Sequence, residues 1–144
     1  MTYEILQDPD PINPYEEFDQ IGTLYHWHRR GFVGTPYDQY EPQQGDLRFA
    51  VYLYEHSGQT ISPHPFNCPW DSGQVGVWVV SKDEIVDNIE EIIHAQINEL
   101  DAYITGQVWG YVTDDGDSCW GYFGDEGMKQ AKEDANAITQ RNIV

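Results

Sequence analysis

The stretch VGVWVVSKDEIVDNIEEIIHAQINELDAYITG, residues 75–106, decides the fold. Its first six residues form a nearly unbroken apolar run, which predicts a strand central in a sheet. Ser81 follows as a helix cap, and Glu84 three positions on completes a capping box. Ile85, Val86, Ile89, Ile92, Ile93, Ile97, Leu100 and Ile104 then recur at helical spacing. They predict one long amphipathic helix of about five turns, with Gly106 placed to end it.

Downstream, residues 107–113 and 118–123 flank Asp114-Asp115-Gly116-Asp117, a strong turn signal, and predict a β-hairpin. Residues 125–137 close the pattern as a short amphipathic helix. Upstream, LRFAVYLY at residues 47–54 alternates Leu47, Phe49, Val51 and Leu53 against Arg48, Ala50, Tyr52 and Tyr54, the period of a half-buried strand. Residues 21–27 read as another strand. Residues 31–45, with Gly34, Pro36 and Pro42, read as a long loop, and a second loop runs through Pro63, Pro65 and Pro69. The short apolar piece Tyr3, Ile5 and Leu6 ends at Asp8-Pro9-Asp10-Pro11, which blocks a helix there. The order is strands, helix, two strands, helix. It predicts an α+β fold: a mainly antiparallel sheet with one long amphipathic helix, a β-hairpin and a C-terminal helix.

At 144 residues the expectation is a single domain with a real core. A hydrophobic content of 40% separates the chain from acidic disordered tails, which lack the apolar surface to offset chain entropy. Cys68 and Cys119 do not make a disulfide framework. No apolar run approaches the roughly 20 residues of a spanning helix, and the opening residues MTYEILQDPD lack a basic leader region, so a cytoplasmic protein is expected. A pI near 4.2 argues against direct contact with nucleic acid or an anionic membrane.

Charge is the most unusual property. The chain has 25 acids against 7 bases, a net charge of −18. Between Lys82 and Lys129 there is no positive side chain, while Asp83, Glu84, Asp87, Glu90, Glu91, Glu99, Asp101, Asp114, Asp115, Asp117, Asp125 and Glu126 all fall in that interval. On the predicted long helix Asp83, Asp87, Glu90, Glu91 and Glu99 lie off the apolar stripe and face water. Positions 83, 87, 90 and 91 are one-turn neighbours there, where like charges cost a few tenths of a kcal/mol per pair. Glu90, Glu91 and Glu99 stand too far along that helix to gain from its dipole. A repeated cost without a structural return points to a functional one. Asp83, Asp87, Glu90, Glu91 and Glu99, extended by Asp114, Asp115 and Asp117 at the hairpin tip, are therefore the predicted partner-binding residues.

Catalytic and metal chemistry find less support. His26 and His28 alternate on a strand, and His56, His64 and Cys68 could join them around zinc or nickel. No ligand follows at a recognised metal spacing, and Arg29-Arg30 disfavours a cation, so histidines on a wet strand face are expected, with no metal and no cofactor. A nucleophilic cysteine needs neighbouring cations or a helix N-terminus. Asp114, Asp115 and Asp117 surround Cys119 with the opposite charge, so buried, inert thiols are expected, against a hydrolase pairing cysteine with His56 or His94. Asp71-Ser72-Gly73 lacks a nucleophile elbow and reads as a turn before the central strand. Asp114-Asp115-Gly116-Asp117 lacks the distal Glu of a calcium loop. Arg29-Arg30, the one basic pair, is expected to pair with nearby acids.

The pieces Trp27-His28-Arg29-Arg30, VYLYEHSGQTIS at residues 51–62, CPWDSGQVG at residues 68–76 and DSCWGY at residues 117–122 resemble a family of small proteins encoded by tailed phages and other mobile elements. Tyr103, Gly106, Val108, Gly110 and Tyr111 are similar too, so the resemblance covers most of residues 21–124. Residues 31–46 depart from the family pattern. The resemblance implies provenance more than mechanism, and accessory phage proteins of this size often act against host machinery or defence systems. With no nucleophile, base and orienting residue at catalytic spacing, the expectation is a non-enzymatic binding protein of the host cytoplasm. That protein would bind and inhibit a basic, nucleic-acid-binding partner, such as a CRISPR effector or a restriction enzyme, by nucleic-acid mimicry. The alternatives are an interaction module that mimics nothing, or a metal-binding or cysteine-dependent enzyme.

Overall fold

The computed structural model describes residues 2–29 and 31–141. The chain is α+β with mostly antiparallel pairing, and it divides into two compact units: residues 14–101, and residues 1–13 with 102–144.

The first unit holds a five-stranded sheet in the order β3-β2-β6-β4-β5. Its strands are β2 (Thr23–His26), β3 (Thr35–Pro36), β4 (Leu47–Glu55), β5 (Gln59–Ser62) and β6 (Ser72–Val80), preceded by the short helix α1 (Pro14–Glu17). The apolar run is central, as its composition predicts: β6 lies between β2 and β4, and every residue from Val75 to Val80 is buried. Gly76 is required there, because a Cβ would drive into the Tyr25 carbonyl oxygen and stand 3.0 Å from the His26 Cα. Trp78 is fully buried; its indole N–H donates to the Ile21 carbonyl at 2.8 Å, and Tyr15 meets it edge-on. Leu24, Val51, Ile93 and Ile97 complete this core, each contributing about 2 kcal/mol by burial.

The long helix starts later than its apolar spacing predicts. After Ser81 the chain makes one 3-10 turn, Lys82–Glu84, and leaves it with Ile85 extended (ψ 123°). Asn88 then sits in the left-handed region (φ 61°), which Asn tolerates better than most residues. Its carbonyl accepts the Ile92 N–H at 3.1 Å and opens α2 (Ile89–Ile104). The capping-box bond does form, from the Ser81 N–H to Glu84 Oε1 at 3.2 Å, but it closes a single turn. Within this unit Gln96 exchanges two 2.9 Å bonds with the Ile21 backbone, and Asp101 accepts from the Thr60 hydroxyl and the Ile61 N–H.

In this unit two strands, β3 and β5, escape the sequence reading. β5 is a short edge strand that pairs with β4 through a turn in which Ser57 has φ 63°. The expected loop at residues 31–45 contains β3, paired parallel with β2.

The second unit has its own sheet, β1-β7-β8. The predicted hairpin is β7 (Val108–Thr113) and β8 (Ser118–Phe123), and the opening apolar piece is a strand, β1 (Tyr3–Gln7), antiparallel to β7. The closing helix α3 (Gly124–Arg141) is longer than predicted. It buries Ala131, Ala135 and Thr139, a stripe of small side chains at four-residue spacing that lets the helix approach its sheet closely. The Tyr122 hydroxyl donates to Asp134 Oδ2 at 2.7 Å, which holds the Asp134 carboxyl below its ordinary range.

Candidate functional site

The predicted acidic residues fall into four local settings. Asp83 lies on the 3-10 turn and Asp87 in the break before α2, so neither is on the long helix and the one-turn neighbour argument fails for both. Their side chains are exposed, with no ion pair or hydrogen bond among the described residues, and the same holds for Glu91. Because α2 begins at Ile89, Glu90 and Glu91 occupy its first turn, where negative charge favours the helix dipole. The expected absence of a structural return is therefore corrected for these two. Glu99 is half-buried, and desolvation raises its pKa, which suits it poorly as a surface charge.

At the hairpin tip the acids have local work. The Thr2 N–H donates to Asp114 Oδ2 at 3.2 Å, and the Thr113 hydroxyl donates to Asp115. The Asp117 N–H returns to the Thr113 hydroxyl at 3.0 Å and its carbonyl accepts the Thr113 N–H at 2.8 Å. Thr113 is thus the hub of the turn, while the three carboxylates stay exposed.

The histidine and cysteine expectations also change. His26 is buried, not on a wet face, and its Nδ1 accepts the His28 N–H at 3.2 Å. Burial first, and the neighbouring His28 second, lower its pKa. Among the described residues, no three His, Cys, Asp or Glu side chains converge as a metal-binding group. Neither thiol is buried: Cys68 is half-buried and Cys119 exposed. Ser72 and Gly73 open β6 instead of preceding it, with the Ser72 hydroxyl donating to the Cys68 carbonyl. Arg29 makes no ion pair among the described residues, against the expected carboxylate pairing, and Arg30 lies outside the described residues.

The residues that the sequence does not bring together form a cleft where β2 and β4 end and β6 begins. Antiparallel pairing of β2 and β4 with β6 places Trp27, Glu55 and Ser72 at this one end. Two cavities of about 580 and 650 Å³ adjoin here, sharing Trp27, His28 and Arg29 in their walls. Trp27 is held upright: its backbone N–H donates to the Val75 carbonyl at 3.0 Å, its indole N–H donates to the Gln74 carbonyl at 3.1 Å, and Tyr37 packs edge-on at 5.5 Å. It nevertheless remains 48% exposed, and Trp70, on the first cavity's rim, is 91% exposed. The first cavity's carboxylates are engaged, Glu55 with His28 at 3.2 Å and Gln59 at 2.9 Å, and Asp71 with His56 at 3.4 Å, whereas Asp38 in the second cavity's wall is exposed with no side-chain partner among the described residues. A β-bulge between Val51 and Tyr52, opposite Val75, sharpens the local twist at the cleft. One signal in the sequence marks the site: Trp70 belongs to no apolar period and lies in a proline-rich loop.

No family model, curated protein or solved structure matches the chain.

Proposed function

We propose that this chain binds a basic, nucleic-acid-binding partner of the host or its defence system through exposed carboxylates, and inhibits it by occupying the surface that nucleic acid would use. The observation that carries this reading is the cluster Asp83, Asp87, Glu90 and Glu91. All four are exposed, and Asp83, Asp87 and Glu91 have no side-chain partner among the described residues. These four carboxylates lie within nine residues, with Lys82 beside Asp83 in the chain and His94 3.8 Å from Glu90 as the nearby basic side chains, and their net charge gives a local negative potential that steers a basic partner and weakens as salt rises. Asp114, Asp115 and Asp117 form a second exposed patch in the other unit, and Glu99 contributes little. The resemblance to proteins of tailed phages fits an anti-defence role, with a CRISPR effector or a restriction enzyme as the class of target.

One observation favours a second reading, an interaction module that mimics nothing. Ile85 and Val86, between Asp83 and Asp87, are 40% and 49% exposed. An apolar pair ringed by acids suits a protein partner with a hydrophobic centre, and a phosphate mimic has no use for it.

The test is a mobility-shift assay of purified CRISPR effectors and restriction enzymes on their nucleic acids, with increasing amounts of this protein, at low and high salt. Wild type should inhibit at least one target, more strongly at low salt. The quadruple amide variant (D83N, D87N, E90Q, E91Q) should lose inhibition, whereas Ile85→Ser with Val86→Ser should keep it. The reverse pattern selects the second reading, and inhibition that survives both variants removes the acidic segment from consideration.

A further inference from the structure

We infer that the Trp27–Trp70 cleft is a small-molecule site for a flat ring carrying one anionic group, a carboxylate or a phosphate. This inference is independent of the acidic-surface reading, since none of its residues belongs to that surface. Size comes first: each of the two adjoining cavities, about 580 and 650 Å³, falls in the range of ligand pockets.

The walls define the ring. A tryptophan in a folded protein ordinarily buries most of its indole, yet Trp70 is 91% exposed beside a cavity, and Trp27 shares the wall of both. The Trp27 indole N–H is already taken by the Gln74 carbonyl, so what Trp27 offers a ligand is its ring and not a hydrogen bond. Tyr37 braces it edge-on, which fixes the ring before any ligand arrives and cuts the ordering cost of binding.

The charge follows from which groups are spoken for. In the first cavity, the one that Trp70 lines, Glu55 and Asp71 have partners within the protein, so they are not unmet acceptors waiting for a cationic ligand. Asp38 lines only the second cavity and has no side-chain partner among the described residues, so the anion is assigned to the first. Arg29 lines both cavities, is exposed, and has no ion pair or side-chain hydrogen bond among the described residues, although the chain carries 25 acids. Its planar fork suits a carboxylate or a phosphate and also stacks on rings. The net charge of −18 opposes anions at long range, but at physiological ionic strength the field decays over about 8 Å, leaving the local guanidinium to decide.

The experiment is a titration followed by two-dimensional NMR, with a nucleoside 5′-monophosphate and indole-3-acetate as the two ring-bearing anions. The neutral nucleoside, inorganic phosphate, acetate and a ring-bearing amine serve as controls. At least one ring-bearing anion should shift the indole signals of Trp27 and Trp70, and which one binds distinguishes phosphate from carboxylate. Its affinity should exceed that of its ring-free and uncharged counterparts by about tenfold, and fall by about tenfold in both Arg29→Gln and Trp70→Ala. Both substitutions are at exposed positions, and circular dichroism checks that the variants fold. Equal binding of the neutral ring, preference for the amine, indifference to Arg29→Gln, or no shift with either anion would each overturn the assignment.

Discussion

The Glu84 carboxylate ties the turn after the central strand to Gly22: one oxygen accepts the Gly22 N–H at 3.0 Å, while the other takes the Ser81 N–H and hydroxyl. This long-range bond explains why the capping residue ends a single turn instead of opening a helix. The Gly22 bond is the largest cause of the lowered Glu84 pKa. A carboxyl whose folded pKa is depressed adds stability that is present above its ordinary value of 4.5 and is lost as pH falls through the folded value. Glu84→Gln should therefore cost about 1 kcal/mol at pH 7, the typical loss on removing a capping side chain, and should flatten the acid limb of a urea-denaturation series. Equal stability of variant and wild type at pH 7 would show that water replaces these bonds at no cost.

Glu99 should behave in the opposite way. Burial raises its pKa, so its contribution is full below the ordinary value of 4.5 and is lost as pH rises through the folded value. Charged Glu99 burdens the fold at neutral pH. Glu99→Gln should stabilise the protein at pH 7 by about 0.5 kcal/mol, after allowing for partial solvent screening, and should be neutral near pH 3. Thermal melts at both pH values check the sign, and destabilisation at pH 7 would mean that an unrecognised partner holds the carboxylate.

The sequence makes the centre of the fold legible and its periphery much less so. VGVWVV announces a strand covered on both faces, and Asp114-Asp115-Gly116-Asp117 announces a turn, because each is a local property of the chain. The start of α2 is not local: Ile85 and Val86 continue the apolar period, and only Asn88 at φ 61° and the reach of Glu84 to Gly22 place the boundary at Ile89. β1 is a strand by virtue of β7, more than 100 residues away, and β5 is a four-residue edge. The acidic segment is visible as composition, but its energetics depend on where α2 begins. The cleft is the least legible feature, since strand pairing brings Trp27 and Glu55 to one end of the sheet and Trp70 joins them from the turn before β6.

His26 should make the first unit sensitive to mild acid. Its folded pKa lies below the ordinary 6.5, chiefly through burial, so stability is complete above 6.5 and declines as pH falls through the folded value. The decline sets in as pH falls below 6.5, whereas the loss from Glu84 sets in only below 4.5. Wild type should lose stability between pH 7 and pH 5 in urea titrations. His26→Gln, which takes on no proton, should show a flatter profile over that interval even if its stability at pH 7 is lower. Parallel profiles would exclude His26 as the titrating group.

Gly76 should be the least replaceable residue of the central sheet. β2 crosses it so closely that a methyl group meets the Tyr25 carbonyl and the His26 Cα, both backbone atoms of a paired strand that cannot rotate away. Gly76→Ala should cost about 3 kcal/mol, at the upper end for an overpacked site. Gly73→Ala in the same strand, where the added carbon meets open space, should stay within about 0.5 kcal/mol. Because Trp27 hangs from the Gln74 and Val75 carbonyls, displacing β2 from β6 at Gly76 should also shift the Trp27 indole signal. Urea denaturation measures the first effect and NMR the second. A tolerated Gly76→Ala, with the Trp27 signal unmoved, would mean that β2 and β6 are not held at this spacing and that the cleft rests on other contacts.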